Sequence, residues 1–402
     1  MRPFTSTISL EEARRRLAAA VRPIARTERV RLEDAAGRVA ATDVTSPIDV
    51  PPFARSAMDG YAVIAADTSD ASRSGPRRLR LLDRIYTGQP SAITVTPGAC
   101  AEIATGAPLP RGADAVVMVE ETAEGGEHEV DIFAPAAAGQ HIGRRGADIV
   151  AGDRVLAAGD LLSPSRVGAL AAIGCVDADV YARPRVAILS TGNEVVEPGH
   201  ALAPGQIFDV NRFTLGAIVS THGGVPEAHH AVQDTVDALV AALDACTAAD
   251  VIVFSGGSSV GERDLVVDAI AARGEMVFHG IAVRPGKPTG FAIVSGTPFF
   301  GMPGNPTSCL SNAYILLVPF LRAVARLPPH APRTVRVPLG HRIVSAANRH
   351  QFYTVRLDGG VAYPAFKGSG DITSLSQADG YIEIAADRDT VDEGTAVEVT
   401  LF

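Results

Sequence analysis

Three short segments bring glycine, hydroxyl and carboxylate side chains together in patterns suited to phosphate chemistry. They are Ser190-Thr-Gly-Asn-Glu194, the run from Ser255 to Asp264 (Ser-Gly-Gly-Ser-Ser-Val-Gly-Glu-Arg-Asp) and Met302-Pro-Gly-Asn-Pro-Thr-Ser308. In the second, Gly256, Gly257 and Gly261 let backbone N–H groups approach an anion. Ser258 and Ser259 add donors beside Ser255, and the helix that follows presents its positive N-terminus. One such loop is a weak signal, because glycine-rich turns are common. Three of them, together with Pro285-Gly-Lys-Pro288, point to an anionic, phosphorylated ligand. Glu194 and Asp264 would repel phosphate unless a cation lay between. Mg²⁺ fills that role by taking one or two carboxylates with phosphate oxygens and water. The alternative is that Asp264 caps its helix and Glu194 is solvated.

Of the 36 basic residues only Lys287 and Lys367 are lysines, and both sit in Gly-rich or Pro-rich turns. A lysine ammonium is a compact charge suited to a single phosphate oxygen. The turn around Lys287 favours a binding role; for Lys367 an accident of composition stays open. The segment from Pro51 to Val63 carries Asp59 in a Met-Asp-Gly turn, which local sequence alone reads as a structural corner. Thr105-Gly-Ala-Pro108 reads as a loop entering a strand. Gln140 to Asp148 combines Arg144 and Arg145 with an acid, the arginines facing either phosphate or water.

For those loops to meet, strands must end side by side. Arg185 to Leu189, Val251 to Phe254 and Pro298 to Met302 are short apolar strands that run into the three loops. Between and after them, Asp209 to Thr221, Thr235 to Cys246, about Asp264 to Arg273 and about Thr307 to Ala325 read as helices. Strands alternating with helices predict a parallel sheet covered on both faces. In such a sheet ligands bind beyond the carboxyl ends of the strands. Nearer the N-terminus, Ser9 and Glu12 form a capping box that opens a helix to about Val21. Thr68 to Arg78 reads as an exposed loop, and Leu79 to about Ile132 as the strands and turns of a small β-rich domain. After a Pro-rich linker (Leu327 to Arg333) come alternating strands at Thr334–Val337, Phe352–Leu357, Val361–Ala365, Tyr381–Ile384 and Ala396–Leu401. With a hairpin signal at Asp358-Gly359, they predict an all-β tail.

Composition removes other classes. A chain of 402 residues exceeds one ordinary core and predicts two to four domains. The longest apolar run, Tyr314 to Leu321, is interrupted by Pro319 and followed by Arg322, well short of the roughly 18 residues of a membrane span. The first ten residues lack the basic-then-apolar pattern of a signal peptide, so the cytoplasm is the expected location. A net charge of −9 without a basic block argues against nucleic acid as the main partner. Cys100, Cys175, Cys246 and Cys309 form no CxxC pair and read as buried thiols. Any soft metal handled here must find its soft ligands elsewhere.

These segments, in this order, resemble the molybdopterin molybdenumtransferase (MoeA) family and the homologous C-terminal domain of gephyrin. The resemblance is carried by Ser56-Ala-Met-Asp-Gly-Tyr-Ala62, Thr105-Gly-Ala-Pro108, Ser190 to Glu194, Gly256 to Glu262 with Asp264, Pro285 to Pro288 and Pro303-Gly-Asn-Pro306. Each is modest alone; together they are specific and span nearly the whole chain. The resemblance implies a multidomain α/β plus β architecture. A linking domain is built from 1–48 with 149–177, and a β-rich domain is inserted at 49–148. A three-layer α/β molybdopterin-binding domain follows at 178–327, and a small β-barrel at 333–402. It also implies a homodimer whose cleft joins the α/β domain of one subunit to the N-terminal domains of the other.

The activity implied is molybdenum cofactor biosynthesis. Adenylylated molybdopterin and molybdate are the substrates, Mg²⁺ assists cleavage of the phosphoanhydride, AMP leaves, and molybdenum joins the dithiolene sulfurs. On the same basis Glu194 and Asp264 hold the ion, and Asp59, Asp148 and Asp234 are acids near the cleft, with Asp59, Glu194 and Asp264 the catalytic set. Thr105 and the 255–261 loop contact substrate, Arg284 and Lys287 bind anions, Pro303 and Pro306 shape the molybdate or pterin pocket, and Ser374 matches a tail position near the site. An adenylyltransferase and a recipient molybdoenzyme are the implied partners. Two departures stand out: Ala147 replaces a family acid before Asp148, and Arg284 replaces a lysine. Other readings are an adenylyltransferase that makes the adenylylated pterin, and a pterin-binding scaffold without activity.

Overall fold

The computed structural model describes residues 7–229, 235–246, 248–256, 265–345 and 348–402. The chain forms two units, residues 1–28, 37–39 and 180–402 in the larger and 29–36 with 40–179 in the smaller.

The larger unit is built on a six-stranded sheet in the order Val225–Ala228, Arg185–Ser190, Val251–Ser255, Thr297–Met302, Gly290–Val294, Gly274–His279. The first four strands run parallel, as the alternation of strands and helices predicts. The last two are antiparallel, an extension the sequence reading did not contain. Successive residues serve opposite faces. Val186 and Ile188 pack against Leu215, Ile218 and Leu316, while Ala187 and Leu189 pack against Leu239, Leu243 and Ile270. This makes three layers, helix on sheet on helix.

The long apolar helix, Pro306–Val324, has the length and hydropathy to cross a membrane, but 72% of its apolar window is buried inside the protein. Its Phe320 meets Phe300 and Phe291 edge-on, at 5.1 and 5.7 Å between ring centroids. A π-turn at Ala313–Leu317 absorbs Pro319, which has no N–H to give to the preceding turn.

Helix Leu10–Ala20 opens as its capping box predicts, with Ser9 Oγ accepting from Glu12 N at 3.1 Å. Its apolar stripe of Leu10, Ala13 and Leu17 joins the core that contains Phe278 and Ile281. Residues 1–28 group with the larger unit, where that stripe finds its partners.

The tail strands Thr334–Pro338, His350–Asp358, Val361–Pro364, Gly380–Ile384 and Ala396–Leu401 form one antiparallel sheet around Leu339, Val355, Ile382 and Val399. It curls until Leu339 bridges back to Ala362, which closes a small barrel. Val283–Arg284, from the α/β segment, adds a parallel edge strand beside His350 and Gln351.

The smaller unit holds a six-stranded sheet in the order Ala115–Met118, Gly60–Val63, Ala99–Ile103, Arg77–Ile85, Glu129–Ile132, Thr122–Gly126, with its own core. Thr68, read as the start of an exposed loop, is fully buried. Its Oγ1 donates to Ala65 O and accepts from Ala136 N.

Two measurements test this packing. Phe300→Ala should destabilise the larger unit by about 3–5 kcal/mol, read by urea denaturation. The second concerns His222, which ends helix Asn211–Thr221 with its ring 5.0 Å from that of His330. Burial first, then His330 and Arg322, push its pKa from 6.5 down to about 4. The unfolded chain thus takes up a proton that the folded chain refuses. Stability from this group is full above about pH 6.5 and falls as the pH drops towards 4. His222→Gln should flatten that slope, measured by urea denaturation across the window.

Candidate anion-binding cleft at the strand ends

Ser190, Ser255 and Met302 stand side by side in register, so three parallel strands stop at one level. The loops that follow open on one cleft of about 1240 Å³. The sequence expectation that the three loops meet at one rim holds for their described parts.

Two buried asparagines fix this rim. Asn211 starts the helix Asn211–Thr221, and its Nδ2 donates to Ser255 Oγ and to Gly304 O, both at 2.7 Å. It ties the end of one strand to the turn that follows another. Asn312, on the long helix, donates from Nδ2 to Gly286 O at 2.9 Å and to Thr289 Oγ1 at 2.5 Å. That fixes the turn carrying Lys287. Gly286 (φ +97°) lies so close to Asn312 that an added Cβ would meet Nδ2 at 2.0 Å. Gly256 (φ +127°) is equally constrained, since a Cβ there would meet Thr191 O at 2.4 Å.

Among the described residues, Ser190 Oγ, Thr191 Oγ1 and Asn211 Oδ1 are buried at the cleft floor without a hydrogen-bond partner. Unpartnered buried polar atoms are rare in native interiors, and clustering at one rim marks a place where polar chemistry is completed by something else.

The tail supplies the opposite wall. Asn305 Nδ2 donates to Ser369 Oγ at 3.0 Å, Thr307 N to Ser369 O at 3.1 Å and Thr307 Oγ1 to Asp371 O at 2.8 Å. These bonds latch the 366–372 loop to the start of the long helix. Lys367 is presented by a turn in which Ser374 Oγ accepts from Lys367 N at 2.9 Å. Ser374 therefore shapes that turn and does not itself line the cleft.

The cleft is lined by Arg284, Lys287, Arg349 and Lys367 against the carboxylates of Glu194 and Asp209. A chain of net charge −9 thus turns cationic side chains towards this cleft, and both of its lysines are among them. Asp209 is committed to the helix start, its Oδ1 accepting from Arg212 N at 3.0 Å. Glu194 is exposed on the wall. Beneath the floor, Cys309 Sγ lies 3.9 Å from Ser255 Oγ, and burial pushes its thiol up to about 12. At neutral pH it is a protonated thiol. Among the described residues no group of three His, Cys, Asp or Glu could hold a metal ion.

Of the other residues singled out by sequence, Pro303 and Pro306 line the cleft. Asp59, Thr105 and Asp148 belong to the smaller unit. There Asp59 Oδ1 accepts from Thr105 N at 2.8 Å, and Asp148 N donates to Val50 O at 3.0 Å. Asp234, Gly257, Ser258, Ser259, Gly261 and Asp264 lie outside the described residues. Sequence reasoning missed Asn211, Asp209, Arg349 and Ser369. Asp209-Val-Asn211 was visible only as a polar helix start, and Arg349 carries no local signal.

Three family profiles cover most of the chain: the MoeA N-terminal region (domain I and II) over residues 8–174, a probable molybdopterin binding domain over 187–323, and the MoeA C-terminal region (domain IV) over 336–402. The chain belongs to the MoeA family. It is 38% identical over 391 residues to molybdopterin molybdenumtransferase 2 of Mycobacterium tuberculosis, covering 94% of this chain and 95% of that one. It is 31% identical to the molybdopterin molybdenumtransferase of Haemophilus influenzae, with 98% of each chain covered. Among solved structures, a molybdopterin biosynthesis MoeA protein from Pyrococcus horikosii matches with a TM-score of 0.85 at 39% identity, over 98% of this chain and 99% of that one. The cleft of this MoeA chain lies at the strand ends of the segment matching the molybdopterin binding domain, with the C-terminal region as its second wall.

Asn211→Ala should leave Ser255 Oγ and Gly304 O without their donor, a loss of about 1–3 kcal/mol in stability. Binding of inorganic pyrophosphate, measured by titration calorimetry, should weaken at least tenfold. Asn211→Asp, which adds a charge at the same place, should weaken it further. Unchanged affinity in both variants would remove Asn211 from the site.

Proposed function

We infer that this chain inserts molybdenum into molybdopterin, acting as a molybdenumtransferase in molybdenum cofactor biosynthesis. The reading is carried by one observation: a cation-lined cleft with unpartnered polar atoms on its floor, at the strand ends of a chain that matches molybdenumtransferases along almost its entire length. An adenylyltransferase would need only the α/β segment, whereas the relatives bearing the molybdenumtransferase name match the flanking regions as well.

The pterin substrate enters adenylylated. Its pyrophosphate meets Arg284 and Lys287 on one side and Arg349 and Lys367 on the other. Four cations lower the cost of bringing the anionic pterin and molybdate together. Pro303 and Pro306 hold the 303–306 turn rigid against Asn211, so the pocket they border keeps its shape. The donor set fits a hard divalent ion. Glu194 offers an exposed carboxylate oxygen, Cys309 is locked in its neutral form, and Mg²⁺ needs only one or two protein carboxylates beside phosphate oxygens and water. Glu194 would hold it, joined by Asp264 as the family resemblance implies. When bound, the ion would neutralise the pyrophosphate and polarise phosphorus for cleavage. Soft ligation of molybdenum falls to the dithiolene sulfurs of the pterin, and the protein supplies none.

Asp234 is a further acid that the family resemblance assigns to the reaction. Asp59, Thr105 and Asp148 would reach a cleft through a homodimer, which gives the smaller unit its part in the reaction. An adenylyltransferase supplies the substrate and a molybdoenzyme takes the product. We place the chain in the cytoplasm, in keeping with a long apolar helix that is buried in the protein core.

The test is AMP release from adenylylated molybdopterin with Mg²⁺, with and without molybdate. Molybdate should stimulate release. Lys287→Ala removes a charged contact of about 1.5–3 kcal/mol and should lower kcat/KM about tenfold or more. Glu194→Gln should raise the Mg²⁺ concentration needed for half-maximal rate. Release indifferent to molybdate and to both substitutions would contradict the assignment.

A further inference from the structure

Two segments singled out by sequence, Pro51 to Val63 and Gln140 to Asp148, meet in the smaller unit. Arg55–Ser56 pairs antiparallel with Ile142–Gly143, so that Gly143 stands directly opposite Arg55. On the other side Arg55 bridges to Pro108, Ser56 N donates to Ala107 O at 2.9 Å, and Leu109 N donates to Ala54 O at 2.9 Å. The backbone of Arg55 is held from both sides, four residues before Asp59.

Residues directly opposite in an antiparallel pair project to the same face, so Arg55 and Gly143 share one. Gly143 is not among the chain's positive-φ glycines, so its conformation does not call for glycine. The space does. A Cβ on Gly143 would lie 3.4 Å from Arg55 Cγ and 3.7 Å from Arg55 Nε. The arginine stem lies across the glycine, and a longer side chain there would push it aside.

The Arg55 side chain is exposed, and among the described residues no hydrogen bond or ion pair engages its guanidinium. Arg145, in the segment opposite, is different: its Nε donates to Asp49 Oδ2 at 2.6 Å. Asp59 is tied to the same strand as Arg55. Its Oδ1 accepts from Thr105 N at 2.8 Å, and Ser56 O accepts from Gly106 N at 2.8 Å. Arg55 and Asp59 nevertheless form no ion pair, so cation and acid stand on one fixed turn without neutralising each other. A merely solvated arginine needs neither a fixed backbone nor a cleared neighbour. An arginine that presents its planar fork at one place needs both.

We propose that Arg55 binds a tetrahedral oxyanion of the substrates, either a phosphate of the adenylylated pterin or molybdate, and that Gly143 makes room for its arm. The inference rests on the proposed function and adds to the four cations of the cleft a fifth, carried by the smaller unit. Because Arg55 shares its turn with Asp59, the cleft that receives one receives the other. Its guanidinium can give two parallel N–H donors to two oxygens of such an anion.

The test is steady-state AMP release by the full chain, with adenylylated molybdopterin and molybdate varied in turn. Arg55→Ala should raise a half-saturating concentration about tenfold or more, with a smaller change in kcat. A rise for the pterin names a phosphate as the anion, and a rise for molybdate names the metal oxyanion. A second variant combines Arg55→Ala with Gly143→Arg, which returns a guanidinium to the same face from the opposite strand. That variant should recover the affinity to within about threefold of the unsubstituted chain. If Arg55→Ala leaves both half-saturating concentrations within about twofold, the inference is overturned. It is overturned equally if kcat alone falls, the sign of a disturbed Asp59 turn, or if the transposed arginine recovers nothing. An unsubstituted chain that releases no AMP would instead overturn the proposed function.

Discussion

Buried polar groups must find partners, and two asparagines turn that requirement into a scaffold. Asn211 holds the end of the Val251–Ser255 strand to the turn after Met302, and Asn312 holds the turn that carries Lys287. Both use an amide that donates twice and leave the amide oxygen unpartnered among the described residues. The layers around them are ordinary apolar packing, which sets where the strands end but not how the loops lie. The side-chain amides give those loops fixed positions, and the cleft inherits its shape from them. A polar network of this kind is rigid when satisfied and costly when broken, so the site and the stability of the sheet's upper edge depend on the same bonds.

Charge is distributed with equal economy. The chain is acidic overall, yet four cations line one cleft. The smaller unit contributes no described side chain to this lining. No cysteine is among the cleft's described lining residues, and Cys309, beneath the floor, is kept neutral by burial. Positioning and charge neutralisation belong to the protein, and metal–sulfur chemistry to the substrate.

How much of this was legible in the sequence follows from the physics of each element. The strands Arg185–Ser190 and Val251–Ser255 are buried on both faces, so they stand out as apolar runs between loops. The rim loops stand out because glycine and proline leave a strong local signature. The strands Gly274–His279 and Gly290–Val294 did not, because the connection between them contains Pro285, Gly286 and Pro288, both are short, and the first mixes Glu275 and His279 with its apolar residues. Lys367 could be singled out by rarity but not assigned until the tail brought it to the cleft. Asn211 and Arg349 could not be found at all, since their roles come from residues 44 to 93 positions away or from a strand edge formed by Val283 and Arg284. Asp59 shows the opposite case. Its local reading as a corner matches the bond to Thr105 N, and only the family resemblance assigns it chemistry.

The most direct measurement is a crystal structure of the chain with adenylylated molybdopterin bound. The account predicts both phosphorus atoms beyond the carboxyl ends of the three parallel strands, between the Lys287 turn and the 366–372 loop, with Asn211 still bonded to Ser255 and Gly304. Phosphates bound elsewhere, or a cleft that holds the ligand with those two bonds broken, would contradict it.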